Sequence, residues 1–494
     1  MSQAMCLVHE CIGAAPDDAD AVSARGRTLT YRQLRAMSAG MAAALRERGL
    51  TKGDRILITA RDDVRLVSLL FAAARLGVVF SVVNRQVPVH VLEHIVDDCD
   101  PALVVTDDAT VTATVERLGV ATAAWDAIPL AAEAPDAPCP IPADPACLIY
   151  TSGTTAMPKA VVSTHAQMMF AATAIQSRLN YRPDDVVYCA LPLSFDYGLY
   201  QIFLSAMTGA HLVLAPGPDE GPRWLLELVR RRVTVLPAVP PLASALLSLL
   251  DRTSGRPALR LITNTGSAMS RDVLAGLRGH LPDLRVQLMF GLTECKRIAI
   301  MDPDEDLDRP DAVGRPLPGT EVFTVDEQGN RLPSGESGEI TVRGGNVMSG
   351  YWRRPELTRQ RFVLRDGLFP ELRTGDYGWI DHDGYLHFSG RRDDIYKQGA
   401  FRVSAVEVES AARRVPGVDA ASVLVPDGDR TEAVLVVVSD KAPSEVLWAM
   451  RGEVEEYKMP RLCQVVSRLP SNANGKTDKR ALAAQVADLV VDGV

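Results

Sequence analysis

Between Thr30 and Thr106 the spacing of apolar residues switches repeatedly between a helical and a strand period. Thr30-Tyr31-Arg32-Gln33 reads as a capping box, in which side chains satisfy the first free N–H groups of a helix. Leu34, Met37, Met41 and Leu45 then recur on one face, and Gly49 closes the segment. Residues 55–59 read as a strand and 64–77 as a helix with little polar surface; 78–83 and 102–106 read as further buried strands. Strands joined by helices pair in parallel, with helices covering both faces of the sheet. The chain therefore begins as an α/β fold.

The full 494 residues exceed what one core holds, so a large body and a smaller unit are expected. Residues 131–145, rich in Ala, Pro and Asp, read as a linker or surface loop. Around 321–350 short strands alternate with Gly and Pro, as in a small β unit. After Gly390 the pattern is compact α+β, with strands near 421–425 and 433–438 and a helix from about Ser444. The boundary is expected near Arg392, giving domains 1–391 and 392–494.

The net charge of −9 argues against a nucleic-acid binder, which needs a basic face. The densest basic run, Arg230, Arg231 and Arg232, follows Trp224-Leu225-Leu226 and reads as a helix end, where cations complement the dipole. Eight cysteines are scattered without CxxC or Cys/His ligand spacing, as expected of a reduced, cytoplasmic protein. Residues 1–10 lack a basic n-region and an apolar h-region, and no uncharged apolar run reaches membrane-spanning length. Neither a membrane nor a nucleic acid is expected as a partner.

The first chemical signal is local. The apolar strand Leu148-Ile149-Tyr150 runs into Thr151-Ser152-Gly153-Thr154-Thr155-Ala156-Met157-Pro158-Lys159-Ala160, and Val161-Val162-Ser163-Thr164-His165 returns to β-branched residues. Hydroxyls and backbone N–H groups donate to phosphate oxygens, and lysine adds a point charge. The GxxxxGK[ST] spacing is absent, so this is not a Walker A loop. Taken alone, the segment also reads as an ordinary Ser/Thr-rich hairpin.

It resembles the phosphate loop, commonly TSGTTGxPKG, of the superfamily that holds acyl-CoA synthetases, adenylation domains of nonribosomal peptide synthetases, and luciferases. Here Ala156 and Ala160 replace the two later glycines, while the hydroxyls and Lys159 are kept. Further motifs follow in the family's order over nearly the whole chain. Thr265-Gly266-Ser267-Ala268 resembles the small-residue turn that lies against adenine and the acyl group. Phe290-Gly291-Leu292-Thr293-Glu294 is similar to the aromatic-G-x-T-E element; the resemblance implies that Phe290 stacks on adenine and that Glu294 helps hold Mg²⁺, a cation that prefers oxygen ligands. Arg373-Thr374-Gly375-Asp376 is similar to the TGD motif, whose Asp binds both ribose hydroxyls. In Gly390-Arg391-Arg392-Asp393-Asp394, the resemblance gives Arg391 a ribose or phosphate contact and makes Asp393 the hinge. Lys397-Gln398-Gly399 resembles the loop that faces the site during thioester formation. Asn472-Ala473-Asn474-Gly475-Lys476-Thr477-Asp478 matches the last motif, whose lysine, Lys476 here, bridges the substrate carboxylate and the α-phosphate.

The resemblance implies a large N-terminal domain of packed sheets and helices with a small mobile α+β C-terminal domain. It implies ATP-dependent adenylation with release of pyrophosphate, then transfer to a phosphopantetheine thiol.

The acid is approached through Ser194-Phe195-Asp196-Tyr197-Gly198. Amino-acid-activating members keep an Asp here that pairs with the substrate ammonium, and a buried carboxylate needs a cationic partner. The competing reading is that Asp196 caps a helix starting at Gly198. Alignment through the motifs lines the acyl pocket with Tyr197, Tyr200, Ala238, Thr263, Thr265, Met289, Arg297 and Ile298. Lys296 and Arg297 suit a second substrate carboxylate, as in aspartate or 3-methylaspartate; alternatively they pair with protein acids such as Asp302 or Asp304, and a β-amino acid without that carboxylate, such as 3-aminobutyrate, is then as good a candidate. The F-G-L-T-E element and the Cys295-Lys296-Arg297 run are more like stand-alone enzymes that load β-amino acids onto a discrete carrier protein. No L-G-G-[HD]-S carrier segment follows Lys476 in these residues, so a separate carrier protein, or CoA, is the expected acceptor. Two other readings are an acyl-CoA or aryl-CoA ligase for an amine-free acid and an inactive nucleotide-binding scaffold.

Overall fold

The computed structural model describes residues 5–59, 63–128, 139–151, 157–215, 221–365, 369–391, 394–398, 401–426, 432–454, 458–472 and 476–491. They form two compact units: residues 1–310, 314–322 and 342–373, and residues 311–313, 323–341 and 374–494. Contacts thus group residues 374–391 with the C-terminal part. A packing boundary is not a pivot of motion, so the expected division after Arg391 remains a functional proposal.

The first unit holds two sheets. In the nine-stranded sheet, the strands run in the order Arg315–Pro316, Ala299–Ile300, Arg285–Phe290, Leu261–Asn264, Val235–Ala238, Val186–Cys189, His211–Leu214, Asp20–Ala24 and Arg27–Thr30. Its middle is parallel and its two ends antiparallel. The six-stranded sheet runs Thr122–Ala123, Leu103–Thr106, Arg55–Thr59, Val79–Val82, Pro145–Thr151 and Lys159–Thr164. It is parallel up to the hairpin formed by its last two strands.

The capping box forms as expected: Thr30 accepts from Gln33 N, and the Gln33 side chain accepts from Thr30 N, opening helix Tyr31–Glu47. Helix Val64–Leu76 ends at Gly77 in the left-handed conformation (φ 70°), where a glycine carries no Cβ penalty. Its lack of polar surface is explained by burial: one apolar core takes in this helix, Tyr31–Glu47, His165–Leu179, Asp196–Thr208 and strands of both sheets. Arg230 ends helix Pro222–Arg230, and Arg231 caps it. Both pair with Glu227, so much of the basic run is neutralised locally.

In the second unit, strands Val418–Leu424, Val434–Ser439 and Leu462–Val466 form a sheet that buries both faces. Val423, Leu435 and Val437 pack with Val408 of helix Ala405–Arg413 and Val446 of helix Pro443–Ala449. Leu424, Val434 and Val436 pack with Leu482 and Val486 of helix Lys479–Val491. That alternation is the period of two of a strand. Ile395–Gln398 and Phe401–Ser404 pair as a two-stranded ribbon.

Candidate active site

The candidate residues of the first unit gather where parallel strands end. Ligands of open α/β sheets bind beyond the carboxyl ends of the strands, because loops and helix N-termini converge there. Thr265, Gly266 and Ser267 directly follow strand Leu261–Asn264, and Gly291 follows Arg285–Phe290. The two strands are parallel neighbours, with Thr263 opposite Gln287 and Asn264 opposite Leu288. Gly266 has φ 90°, which turns the chain sharply, and Ser267 Oγ donates to the Gly266 carbonyl (2.9 Å). Thr265 and Met289 are buried, and Phe290 is half-buried opposite Ala299.

Gly291 is required sterically. A Cβ on it would stand 2.2 Å from the Lys296 carbonyl oxygen and 2.7 Å from Arg297 Cα. The chain folds back at Lys296, which has φ 63°. Asn346 locks this turn by donating from Nδ2 to the carbonyls of Cys295 (3.2 Å) and Arg297 (3.0 Å). Asn346 is fully buried and nothing in its sequence surroundings marks it.

The turn carries two cations inward. Arg297 Nη1 lies 3.3 Å from Asp196 Oδ2, and both side chains are almost wholly buried. Arg297 Nη1 also donates to the Lys296 carbonyl (2.7 Å), and its guanidinium sits 5.0 Å from the Tyr197 ring centroid. Lys296 is 1% exposed; its Nζ donates to the Thr293 carbonyl (3.0 Å) and lies 5.7 Å from the Tyr200 ring centroid. Burial pulls the Lys296 ammonium pKa down, and the nearby Asp196 charge draws it back up.

Two expectations are corrected here. Asp196 does not cap a helix starting at Gly198: helix Asp196–Thr208 begins at Asp196 itself, with Phe195 at the N-cap and no side-chain cap bond. Arg297 does pair with a protein acid, but the acid is Asp196 and not Asp302 or Asp304: Arg178 takes Asp302, and Arg278 and Arg285 take Asp304.

The cluster is walled by aromatic and small residues. Tyr197 Oη bonds to the Thr263 carbonyl and hydroxyl, both at 2.7 Å. Tyr200 is 2% exposed, and among the described residues its hydroxyl has no partner; neither has Arg297 Nε. Ala238 and Ile298 are fully buried.

In the six-stranded sheet, strands Pro145–Thr151 and Lys159–Thr164 pair with Thr151 opposite Lys159, so the strand–loop–strand reading holds for both strands. Ser152, Gly153, Thr154, Thr155 and Ala156 lie outside the described residues. Lys159 is half-buried, with Nζ 4.0 Å from the Tyr351 ring centroid. Burial lowers its pKa, and Glu294 acts to raise it. Tyr351 Oη donates to Glu294 Oε1 (2.7 Å). The segment around Tyr351 runs antiparallel beside Lys159–Thr164: Val162 N donates to the Gly350 carbonyl, Ser349 N to that of Val162 and Trp352 N to that of Ala160. Met348 N donates to the Glu294 carbonyl.

The remaining candidates belong to the second unit. Thr374 Oγ1 donates to the Ile340 carbonyl (2.6 Å) and accepts from Asp376 N (3.0 Å), and Gly375 N donates to Glu339 Oε1 (2.9 Å). These bonds fix the Thr-Gly-Asp turn. Asp376 is 4% exposed, and its Oδ1 lies 3.2 Å from Nε of Arg391, its cross-strand neighbour. Lys476 N donates to Asn472 Oδ1 (3.1 Å) and Asn472 N to the Lys476 carbonyl (2.8 Å), so these two residues of the motif are bonded to each other. Lys397 is in strand Ile395–Gln398 opposite Arg402. Asp393 and Gly399 lie outside the described residues.

In the first unit, a half-buried lysine and carboxylate share one tyrosine, and a buried mixed-charge group lies nearby in the chain's fold, a donor set suited to charged small ligands; in the second unit, the Thr-Gly-Asp turn holds a buried carboxylate beside Arg391. Comparison with known proteins agrees. The model of the AMP-binding enzyme family matches residues 9–352, and that of its C-terminal domain matches 407–476. The chain belongs to the AMP-binding enzyme family. It is an adenylating, AMP-forming ligase of the superfamily that includes acyl-CoA synthetases and nonribosomal peptide synthetase adenylation domains.

Among relatives, syringomycin synthase SyrB1 of Pseudomonas syringae pv. syringae is 30% identical, over 96% of this chain and 80% of that protein. Feruloyl-CoA synthase of Amycolatopsis sp is 30% identical, over 93% of this chain and 94% of its own. Tyrocidine synthase 3 of Brevibacillus parabrevis is 28% identical over 94% of this chain, which spans 7% of that protein. Among solved structures, ATP-bound MatB from Rhodopseudomonas palustris superposes with a TM-score of 0.86 at 29% identity, covering 98% of this chain and 99% of that one. VinN in complex with L-aspartate has a TM-score of 0.71 at 38% identity, covering 78% of this chain and 98% of its own. Among the described residues of the enzyme, no helix is long and apolar enough to cross a membrane.

Proposed function

We propose that the enzyme adenylates a small amino acid with a second carboxylate, an aspartate-like or 3-methylaspartate-like acid, and passes it to the phosphopantetheine thiol of a discrete carrier protein. The observation that carries this is the buried group of Asp196, Arg297 and Lys296. One carboxylate faces two cations there. A substrate ammonium takes over Asp196, and the substrate's spare carboxylate meets the released Arg297 and Lys296. The exchange leaves no buried charge alone, which a monocarboxylic amine could not achieve. The Tyr200 hydroxyl, which has no partner among the described residues, gains one from the same substrate. VinN, crystallised with L-aspartate, is a relative in sequence as well as in fold.

In this reading Ser152, Gly153, Thr154, Thr155, Thr151 and Lys159 hold the phosphates. Phe290, Gly266, Ser267, Gly291 and Thr293 form the adenine side, and Asp376 with Arg391 holds the ribose. Lys476 stabilises charge as the carboxylate oxygen attacks the α-phosphorus and pyrophosphate leaves. Glu294 is the protein's ligand for Mg²⁺. A carboxylate oxygen is a hard donor, and the described residues contain no cluster of three or more metal-ligating side chains, which fits an ion held mainly by phosphates and water. Held by Glu294, the ion would supply positive charge to offset that of the phosphates. The small domain, residues 392–494, then turns about Asp393 to bring Lys397 and Gly399 to the thioester step. All described cysteines are free thiols, which favours the cytoplasm.

A second reading is supported by the same pair. The Asp196–Arg297 bond is complete without a substrate amine, as a CoA ligase for a plain acid would require. Substrate-dependent ATP–pyrophosphate exchange separates the two. Exchange is expected with aspartate-like α- or β-amino acids and not with their amine-free analogues; exchange with the amine-free acids would replace the amino-acid reading with the CoA-ligase one.

A further inference from the structure

We propose that Tyr351 is a positioning residue that holds Lys159 and Glu294 apart, keeping the cation available to phosphate and the carboxylate to a metal. This rests on the roles assigned to those two residues under Proposed function. One ring serves both charges: its face carries Lys159 Nζ at 4.0 Å, and its hydroxyl donates to Glu294 Oε1 at 2.7 Å. A cation over an aromatic face is stabilised without a counter-ion. Opposite charges in a half-buried site attract strongly, and a direct Lys159–Glu294 pair would occupy both groups.

The ring cannot yield to that attraction. It is 5% exposed and packs edge-on against Phe362, with centroids 5.6 Å apart. Tyr351 N donates to Thr358 Oγ1 (3.0 Å), and the flanking Gly350 and Trp352 are bonded to Val162 and Ala160. Lys159 itself lies in the strand that this segment borders, and Met348 N holds the Glu294 backbone. The spacer is thus fastened to both elements whose side chains it separates. Arg361 adds positive charge near Lys159 and Tyr351, which further favours carboxylate over cation at the hydroxyl end.

Two variants of the full chain test this, each checked for folding by its thermal midpoint. Tyr351→Phe keeps the ring and loses the bond to Glu294. The Mg²⁺ concentration for half-maximal exchange should rise on the order of ten-fold, the usual weight of a hydrogen bond to a charged group, with little change in metal-free ATP affinity by titration calorimetry. Tyr351→Leu loses the spacer as well, and metal-free ATP affinity should also fall several-fold. Wild-type Mg²⁺ dependence and ATP affinity in both variants would overturn the proposal, as would identical behaviour of the two. A wild-type enzyme that exchanges no acid but binds MgATP would overturn the proposed reaction instead, and the calorimetric comparison alone would then decide the role of Tyr351.

Discussion

Asp196 and Arg297 stand 101 positions apart in the chain and meet as a buried ion pair, Oδ2 to Nη1 at 3.3 Å. Lys296 is the second cation near Asp196, so removing Asp196 leaves two buried cations without their carboxylate, whereas removing Arg297 leaves Asp196 with Lys296. Asp196→Ala should therefore destabilise the enzyme by about 3–5 kcal/mol, whereas Asp196→Ala combined with Arg297→Met should recover much of that loss. Chemical denaturation of both variants, with exchange assays on the panel of acids, checks this. An additive double variant would mean that the pair contributes nothing.

Arg297→Ala alone should impair amino dicarboxylic acids far more than monocarboxylic amines. A bidentate-capable guanidinium lost from a buried carboxylate is worth roughly 2–5 kcal/mol in kcat/KM. Unchanged selectivity would remove the second carboxylate from the proposed substrate.

Lys476→Ala should lower adenylate formation by roughly a hundred-fold or more, the scale for losing one preorganised charge at a reacting centre. ATP binding, followed by calorimetry, should be nearly unchanged. Adenylation at the wild-type rate would exclude the assigned role.

His165 is fully buried, and its Nδ1 accepts from Val8 N (3.2 Å), so it is held neutral. Burial, with His9 second, pulls its pKa from 6.5 down to about 4, while Asp144 and Glu10 act the other way and Lys52 adds to the fall. The folded state thus binds the proton less readily than the unfolded one. Stability should be complete above about pH 6.5 and decline as the pH falls towards 4, by up to about 3 kcal/mol. His165→Asn, which keeps an acceptor without titrating, should flatten the thermal midpoint over that range; an equally steep profile would assign the acid sensitivity elsewhere.

Gly291→Ala should disrupt the cation-bearing turn, because backbone atoms of Lys296 and Arg297 occupy the space of the new methyl group. A loss of about 1–3 kcal/mol, with loss of exchange, is expected in denaturation and activity assays. Wild-type behaviour would show that the turn relaxes freely.

The parts of the molecule that follow local periodicity are legible in the sequence. The capping box at Thr30, the buried helix ending at Gly77 and the hairpin flanking the phosphate loop form where the pattern puts them. Motif order over the whole chain points to the family. Long-range pairing is not legible. Asp196 reads as an ammonium partner or a helix cap and Arg297 as a carboxylate partner or the mate of some protein acid, and nothing in spacing says that the two meet. The helix expected from Gly198 starts two positions earlier, because Asp suits a first turn as well as an N-cap. Tyr351 and Asn346 lie in and just after a stretch that reads as short strands broken by Gly and Pro, and no local pattern marks their bonds to Glu294 and to the Cys295–Arg297 turn.

Strand Lys159–Thr164 is the last strand of the six-stranded sheet, and residues 349–352 lie along its outer side. Bare sheet edges recruit other chains by main-chain pairing, and proteins blunt them by covering them. The stretch that holds Tyr351 beside Lys159 and Glu294 therefore also shields the sheet against self-association. Loosening it would be felt as aggregation as well as lost turnover, and this links the upkeep of the site to the solubility of the protein.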